Sequence, residues 1–122
     1  MTIPFKSVTW LLLTNKPMLF VPSTVSLATE QGTFIIVFDL TDDNNNVSIT
    51  NIAVSSLVRT DLPKFLFLGE DKGHFYLYTR VPVRENGATT TIKEHIPETE
   101  LTRSIIARLL EARDKYLEGK RC

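Results

Sequence analysis

The chain has 122 residues, of which 43% are hydrophobic and 23% charged, proportions that are ordinary for one globular domain. Fourteen basic side chains balance fourteen acidic ones, so the formal net charge is zero. This balance argues against duplex nucleic acid as a partner, because phosphate binding needs a clustered excess of Lys and Arg. It also argues against electrostatic attachment to an anionic membrane. We therefore predict a single soluble domain over residues 1–122.

The N-terminal quarter of the chain carries the weakest structural signal. Residues 8–13 suit either a buried strand or a turn of helix, because the run is too short for periodicity to decide. The run is also too short for a membrane span or a signal peptide, so we expect a cytoplasmic protein. Residues 18–21 lie between Pro17 and Pro22, which favours a short edge strand. A turn is expected over residues 28–32.

A buried hairpin is predicted next in the chain. Residues 33–38 are β-branched or aromatic throughout, which is typical of a strand buried on both faces. The Asp/Asn cluster at residues 41–46 favours a turn, and residues 47–54 form the returning strand. In that strand Ile52 falls on the face opposite to the earlier apolar residues unless a bulge lies near Asn51.

A second hairpin follows, with a strand at residues 64–68, a turn at 69–73 bounded by glycines, and a returning strand at 74–81. Pro82 either ends this strand or places its end at a sheet edge. Alternation divides the returning strand into two faces. One face holds Phe75, Leu77, Thr79 and Val81, and the other holds Tyr76, Tyr78 and Arg80.

The last part of the chain predicts a long loop and then one amphipathic helix. The loop is expected over the polar residues 84–91. Pro97 suits the first helical position, and Gly119 suits the C-terminal stop. The apolar stripe between them consists of Leu101, Ile105, Leu109, Ala112 and Tyr116, widened by Ile106, Leu110 and Leu117. A stripe this wide suits packing on a sheet, so the predicted fold is α+β, a mostly antiparallel β-sheet covered by a C-terminal helix.

The residue types that perform catalysis or bind metals do not form a recognisable set. The histidines, His74 and His95, fall in separate elements, and the single cysteine is the last residue, so a zinc site lacks ligands. The carboxylates Asp39, Asp42 and Asp43 lack the glycine and terminal glutamate of a calcium loop, and we expect a solvated turn there. Nucleophile-elbow and phosphate-binding glycine motifs are absent from the sequence. We expect no enzyme, no cofactor and no metal.

The face that holds Tyr76, Tyr78 and Arg80 is the candidate binding surface. Aromatic and basic side chains interleaved on a strand can stack single-stranded bases, but Tyr and Arg are also enriched in protein interfaces. The zero net charge argues against nucleic acid and favours a face that packs on a helix as core or on another protein chain as an interface. We expect a protein partner, or a second copy of the chain in a homodimer.

Four segments carry a resemblance to a known family: residues 62–67, the Glu-Asp-Lys-Gly turn, the strand at 74–82 and the helix at 101–117. Together they resemble the YbjN family, which shares the fold of type III secretion chaperones. The resemblance covers about residues 33–118. It implies a binding or chaperone-like scaffold, often dimeric, with no catalytic residues to transfer.

Two further functions stay open on the sequence. One is a small-molecule-binding domain or small enzyme with a pocket near Arg80, Glu94 and His95, whose polar groups would converge on a ligand. The other is an immunity- or antitoxin-like inhibitor, which the sequence does not separate from a chaperone.

Overall fold

A computed structural model of the chain describes residues 18–56 and 62–121, with side chains described through residue 120. The predictions for residues 8–13 and for Cys122 lie outside these ranges.

The described residues form one six-stranded antiparallel sheet followed by one helix, which confirms the predicted α+β class. The strands are β1 (Leu19–Thr29), β2 (Gly32–Asp42), β3 (Val47–Ser56), β4 (Phe65–Asp71), β5 (His74–Glu85) and β6 (Ala88–His95), and the helix is α1 (Glu100–Arg121). Each strand pairs with its neighbour in sequence, so the sheet is a meander.

The helix covers one face of this sheet, and the core lies between them. The buried hydrophobic residues are Phe34, Ile36, Phe38 and Leu40 of β2, Val47, Ile49, Ile52 and Val54 of β3, Leu66, Leu77, Ile105 and Leu109. The predicted burial of β2 on both faces is wrong, because Ile35 and Val37 on the opposite face stay 38% and 46% exposed. With a single covering helix, β2 buries only alternate residues.

The bulge expected near Asn51 is present. Val37 pairs with Ala53 and Asp39 with Thr50, so β3 holds one more residue than β2 between these pairs. Asn51 absorbs it with a φ of 54° and donates a hydrogen bond from Nδ2 to Asp39 Oδ2 at 2.8 Å. Asn tolerates this left-handed conformation, and the extra residue returns the following apolar side chains to the core face.

The predicted long loop over residues 84–91 is wrong. Asn86 and Gly87, with φ values of 50° and 80°, form a two-residue turn, and the chain continues directly into β6. Pro82 does not end β5, but it lies in the part of the strand that has no partner on the β4 side, as the alternative of an edge position expects. The β4–β5 pairing ends at Tyr78, so β4 does not lie beside Pro82. The missing N–H of Pro82 therefore costs no hydrogen bond on that side.

Two other turns are tighter than predicted. The turn expected over residues 28–32 shortens to Glu30 and Gln31, because β1 and β2 pair as far as Thr29 and Gly32. The turn expected over 69–73 shortens to Lys72 and Gly73, whose φ values are 51° and 85°.

The helix also begins and ends at different residues from those predicted. Thr99 precedes the first turn, its hydroxyl accepts from Thr102 N at 3.2 Å, and its own N–H donates to Thr102 Oγ1 at 2.8 Å. This reciprocal cap places Pro97 outside α1. At the other end α1 continues through Gly119, and the side chain of Lys120 binds Asp42 of β2 at 2.7 Å.

Candidate protein-binding face of β4, β5 and β6

The alternation predicted for β5 agrees with the burial of its side chains. Leu77 points toward α1 and is 2% exposed. Tyr76, Tyr78 and Arg80 therefore point to the other side of the sheet, which we call the open face.

Cross-strand pairing sets the neighbours of these three side chains. Phe67 of β4 and His95 of β6 flank Tyr78, and Lys93 of β6 lies opposite Arg80. Residues paired directly share a face of the sheet, and their side chains are in contact range. We name the group Phe67, Tyr76, Tyr78, Arg80, Lys93 and His95 the cation–aromatic cluster.

The rings of the cluster are in mutual contact. Phe67 and Tyr78 stack with centroids 5.3 Å apart and planes 17° apart. Tyr76 lies 5.8 Å from Tyr78 and 4.6 Å from the His95 ring, centroid to centroid. These separations lie in the range at which aromatic pairs attract, so the rings hold one another in place.

The two cations of the cluster lie against its rings. The Arg80 guanidinium carbon is 4.9 Å from the Phe67 centroid, and Lys93 Nζ is 4.4 Å from the Tyr78 centroid. Lys93 also donates a hydrogen bond to the Tyr76 hydroxyl at 3.0 Å, and this bond raises the pKa of Lys93 above its ordinary value. The positive charges are thus fixed over aromatic faces.

A glycine makes room for Tyr76. Gly69 of β4 pairs with Tyr76, and a Cβ on Gly69 would lie 2.6 Å from the Tyr76 hydroxyl oxygen. The phenol ring therefore lies flat over the glycine. The glycines at residues 69 and 73 predict a turn, but Gly69 lies within β4, and only the hairpin register places it opposite Tyr76.

An exposed apolar row continues the open face toward β2. Val37, Ala53 and Phe65 pair in succession across β2, β3 and β4. Val37 is 46% exposed and Phe65 61% exposed, and Lys64 Nζ lies 5.7 Å from the Phe65 ring centroid. The cation–aromatic cluster and this row form one continuous surface.

The open face of β4, β5 and β6 is also positively charged. By alternation it holds Arg80, Arg84 and Lys93, and the only carboxylate among the residues of these three strands on that side is Asp71, at the hairpin end. This local excess of positive charge is hidden by the zero net charge of the whole chain.

The three residues of the alternative pocket do not converge. Arg80 and His95 lie on the open face, whereas Glu94 pairs with Thr79 on the face toward α1. Two clefts border α1, one of about 630 Å³ and one of about 390 Å³. None of the three residues lines either cleft.

The prediction of a solvated turn is wrong for Asp42. Its side chain is 5% exposed and accepts hydrogen bonds from Lys120 Nζ at 2.7 Å, Asn44 N at 2.9 Å and the Tyr116 hydroxyl at 2.8 Å. These bonds, with Lys120 first, lower the pKa of Asp42 to about 2. Asp42 thus joins β2 to the end of α1.

Neither a metal site nor a membrane helix is found in the part of the chain that the structure describes. Within residues 18–56 and 62–121, no three His, Cys, Asp or Glu side chains lie close enough together to bind a metal ion. In the same ranges no helix has the length and apolar character to cross a bilayer.

Comparison with known proteins gives no match, whether to protein-family models, to curated proteins or to solved structures. The resemblance to the YbjN family and the chaperone-like form of the fold stay predictions from the sequence.

Proposed function

We propose that the protein is a non-enzymatic polypeptide-binding domain and that its binding surface is the open face of β4, β5 and β6. One observation supports this above the others. The open face combines fixed aromatic rings, fixed cations and an exposed apolar row, whereas the other face of the sheet buries its apolar side chains under α1. Tyr, Phe and Arg in such a patch are the residue types that dominate protein interfaces.

The pre-formed state of the cluster strengthens this proposal. Stacked rings lose little further rotational freedom on binding, so less of the interaction energy is spent on ordering side chains. A chaperone-like domain, an immunity- or antitoxin-like inhibitor and a homodimer all place a polypeptide on this face, and we treat them as forms of the same proposal.

The test is a selection of random peptides displayed on phage against the purified protein. We expect enriched peptides whose affinity, measured by fluorescence anisotropy, falls at least tenfold in Phe65→Ser and in Arg80→Ser. Phe65 is 61% exposed, so its replacement leaves the fold intact, which circular dichroism checks. Arg103→Ser on the exposed side of α1 is the matched control and keeps full affinity.

Three outcomes contradict the proposal. One is that no peptide is enriched, and another is that the selected peptides bind both open-face variants as tightly as the parent protein. The third is tight binding of a single-stranded oligonucleotide that Arg80→Ser abolishes, because aromatic and basic residues on a sheet also suit unpaired bases. A homodimer is recognised by concentration-dependent sedimentation that Phe65→Ser removes.

A further inference from the structure

Strand β6 is an accessible edge of the sheet. It is the last strand in the sheet order, and all eight of its residues are exposed. No strand among the described residues pairs with its outer side. An edge of this length presents a row of backbone donors and acceptors to any extended chain.

The hydrogen bonding of β5 shows which backbone groups of β6 point outward. Ile96 N donates to Leu77 O at 3.0 Å, so these residues form a hydrogen-bonded pair of the ladder. In an antiparallel ladder such pairs alternate with residues whose N–H and C=O point away. Thr91 and Lys93 therefore direct their backbone groups to the free edge, together with Thr89 and His95.

The opposite edge of the sheet is blocked. In β1, Pro22 has no N–H to offer to an added strand. The Ser26 carbonyl accepts from Arg108 Nε at 3.2 Å and from Arg108 Nη2 at 3.1 Å. Glu111 accepts from Arg108 Nη1 at 2.9 Å and fixes the guanidinium there. Edge pairing is thus obstructed at β1 by two separate features.

Lysine on an edge strand normally discourages strand addition, because its charge projects over the edge. Lys93 does not project in this way. Its ammonium turns back across β5 onto the rings of Tyr78 and Tyr76. The only lysine of β6 therefore leaves the backbone of its own strand accessible, while its charge stays on the open face.

We propose that β6 accepts an extended polypeptide segment as a seventh strand and that this segment carries acidic side chains at alternate positions. The inference rests on the proposed function and specifies its partner. Alternate side chains of an added strand lie on the open face, on the same side of the sheet as Lys93 of β6. Arg84 of β5 lies on this face too, next to Thr89 of β6, whose small side chain separates it from the added strand. The intervening side chains lie beside Ile92, which is 50% exposed and favours β-branched apolar neighbours.

The probe is a synthetic peptide with the sequence Thr-Glu-Val-Glu-Val-Glu-Thr, acetylated and amidated at its ends. Its control carries Lys in place of each Glu. We expect the Glu peptide to slow amide hydrogen exchange at Thr91 and Lys93 at least tenfold, measured by NMR. Exchange at Thr90 and Glu94 stays unchanged, because their N–H groups already bind β5.

Two pairs of variants separate backbone pairing from side-chain contact. Thr91→Pro removes an outward N–H without removing a bond to β5, and we expect it to abolish binding of the Glu peptide. Thr91→Ala keeps that N–H and retains binding. Lys93→Glu weakens the Glu peptide and strengthens the Lys peptide, whereas Arg103→Glu on α1 changes neither.

The outcomes distinguish this inference from the proposed function. If library-selected peptides depend on Phe65 and Arg80 but Thr91→Pro binds them fully, strand addition is wrong and the open-face proposal stands. If the Glu and Lys peptides bind equally, the acidic partner is wrong. The amides of Thr91 and Lys93 could instead be protected from exchange without any peptide, in a protein that sediments as a dimer. That result shows that a second copy of the chain pairs with β6, and it overturns the inference. If neither the library nor the probe binds, both proposals fail.

Discussion

The two halves of the sheet use their side chains differently. In β2 and β3, eight apolar residues are buried beneath α1, among them Phe34 and Ile52 at 0% exposure. In β4, β5 and β6 only Leu66 and Leu77 are buried hydrophobic residues, and β6 exposes every residue. Four of the five Phe and Tyr rings of this second half lie on the open face, and Phe75 alone lies on the side of α1, against Arg113. One meander thus separates the residues that stabilise the fold from those that are available for contact.

This separation has a practical meaning for mutagenesis. Side chains under α1 are expected to affect folding, and side chains on the open face are expected to affect binding. Substitutions that are matched in chemistry but placed in different halves test this division directly.

The largest effect is expected for Leu109→Ala in α1. Leu109 is fully buried against the sheet, and truncation of such a side chain removes transfer free energy and leaves a cavity. We expect the free energy of unfolding to fall by about 2–5 kcal/mol, measured by urea denaturation. Ile92→Ala in β6 is the matched control, with a change of about 0.5 kcal/mol or less. Equal losses in the two variants would contradict the division.

An intermediate effect is expected at Asp42, the acidic link between β2 and α1. Its pKa is lowered from 3.8 to about 2 by Lys120, Asn44 and Tyr116, so the folded state favours the charged form. The resulting stabilisation is complete above pH 3.8 and is lost as the pH falls toward 2. In Asp42→Asn we expect a lower melting temperature at neutral pH and a smaller further decrease between these pH values.

Asp114→Asn, on the exposed side of α1, is the control for the acid experiment and keeps the melting curve of the parent protein. The loss in Asp42→Asn is expected to be smaller than that in Leu109→Ala, because the amide oxygen still accepts hydrogen bonds. An unchanged acid transition in Asp42→Asn would show that Asp42 does not link β2 to α1 energetically.

The smallest effect on stability is expected for Gly69→Ala. The new Cβ would collide with Cζ of Tyr76, so the ring must leave its place over the glycine, and the lost aromatic contacts cost about 0.5–1.5 kcal/mol. The Tyr76 hydroxyl then moves away from Lys93, and we expect NMR ring-current shifts at Lys93 and weaker peptide binding. Gly119→Ala in α1, where nothing lies within 4 Å of the new Cβ, is the control and stabilises the helix by about 0.5–1 kcal/mol. Binding unchanged in Gly69→Ala would exclude Tyr76 from the interface.

The parts of the fold that were predictable from sequence are those in which burial imposes a period. The helix stripe and the two faces of β5 follow from alternating or helical apolar residues, and the break in that pattern located the bulge at Asn51. β6 was missed because its eight exposed side chains have no reason to alternate. A polar strand of this kind is specified by its turn and its partner strand, not by its own composition.

The candidate surface was predictable only in part for the same reason. Tyr76, Tyr78 and Arg80 share one strand, so alternation alone groups them. Lys93 and Phe67 belong to the same cluster because of the strand pairing registers, which cannot be derived from the sequence alone. The charge of the surface also depends on which strands become neighbours, whereas composition gives only the total for the chain.

The position of α1 after the whole meander has a consequence during synthesis on the ribosome. The apolar face of β2 is complete once Asp42 has emerged, but the helix that covers it ends at Arg121, 79 residues later (121 − 42). At about 5–20 residues per second this interval lasts roughly 4–16 s. During that time the nascent chain exposes Phe34, Ile36 and Phe38 without their cover. The growing polypeptide is therefore expected to be most susceptible to aggregation, and most dependent on ribosome-associated chaperones, just before α1 is translated.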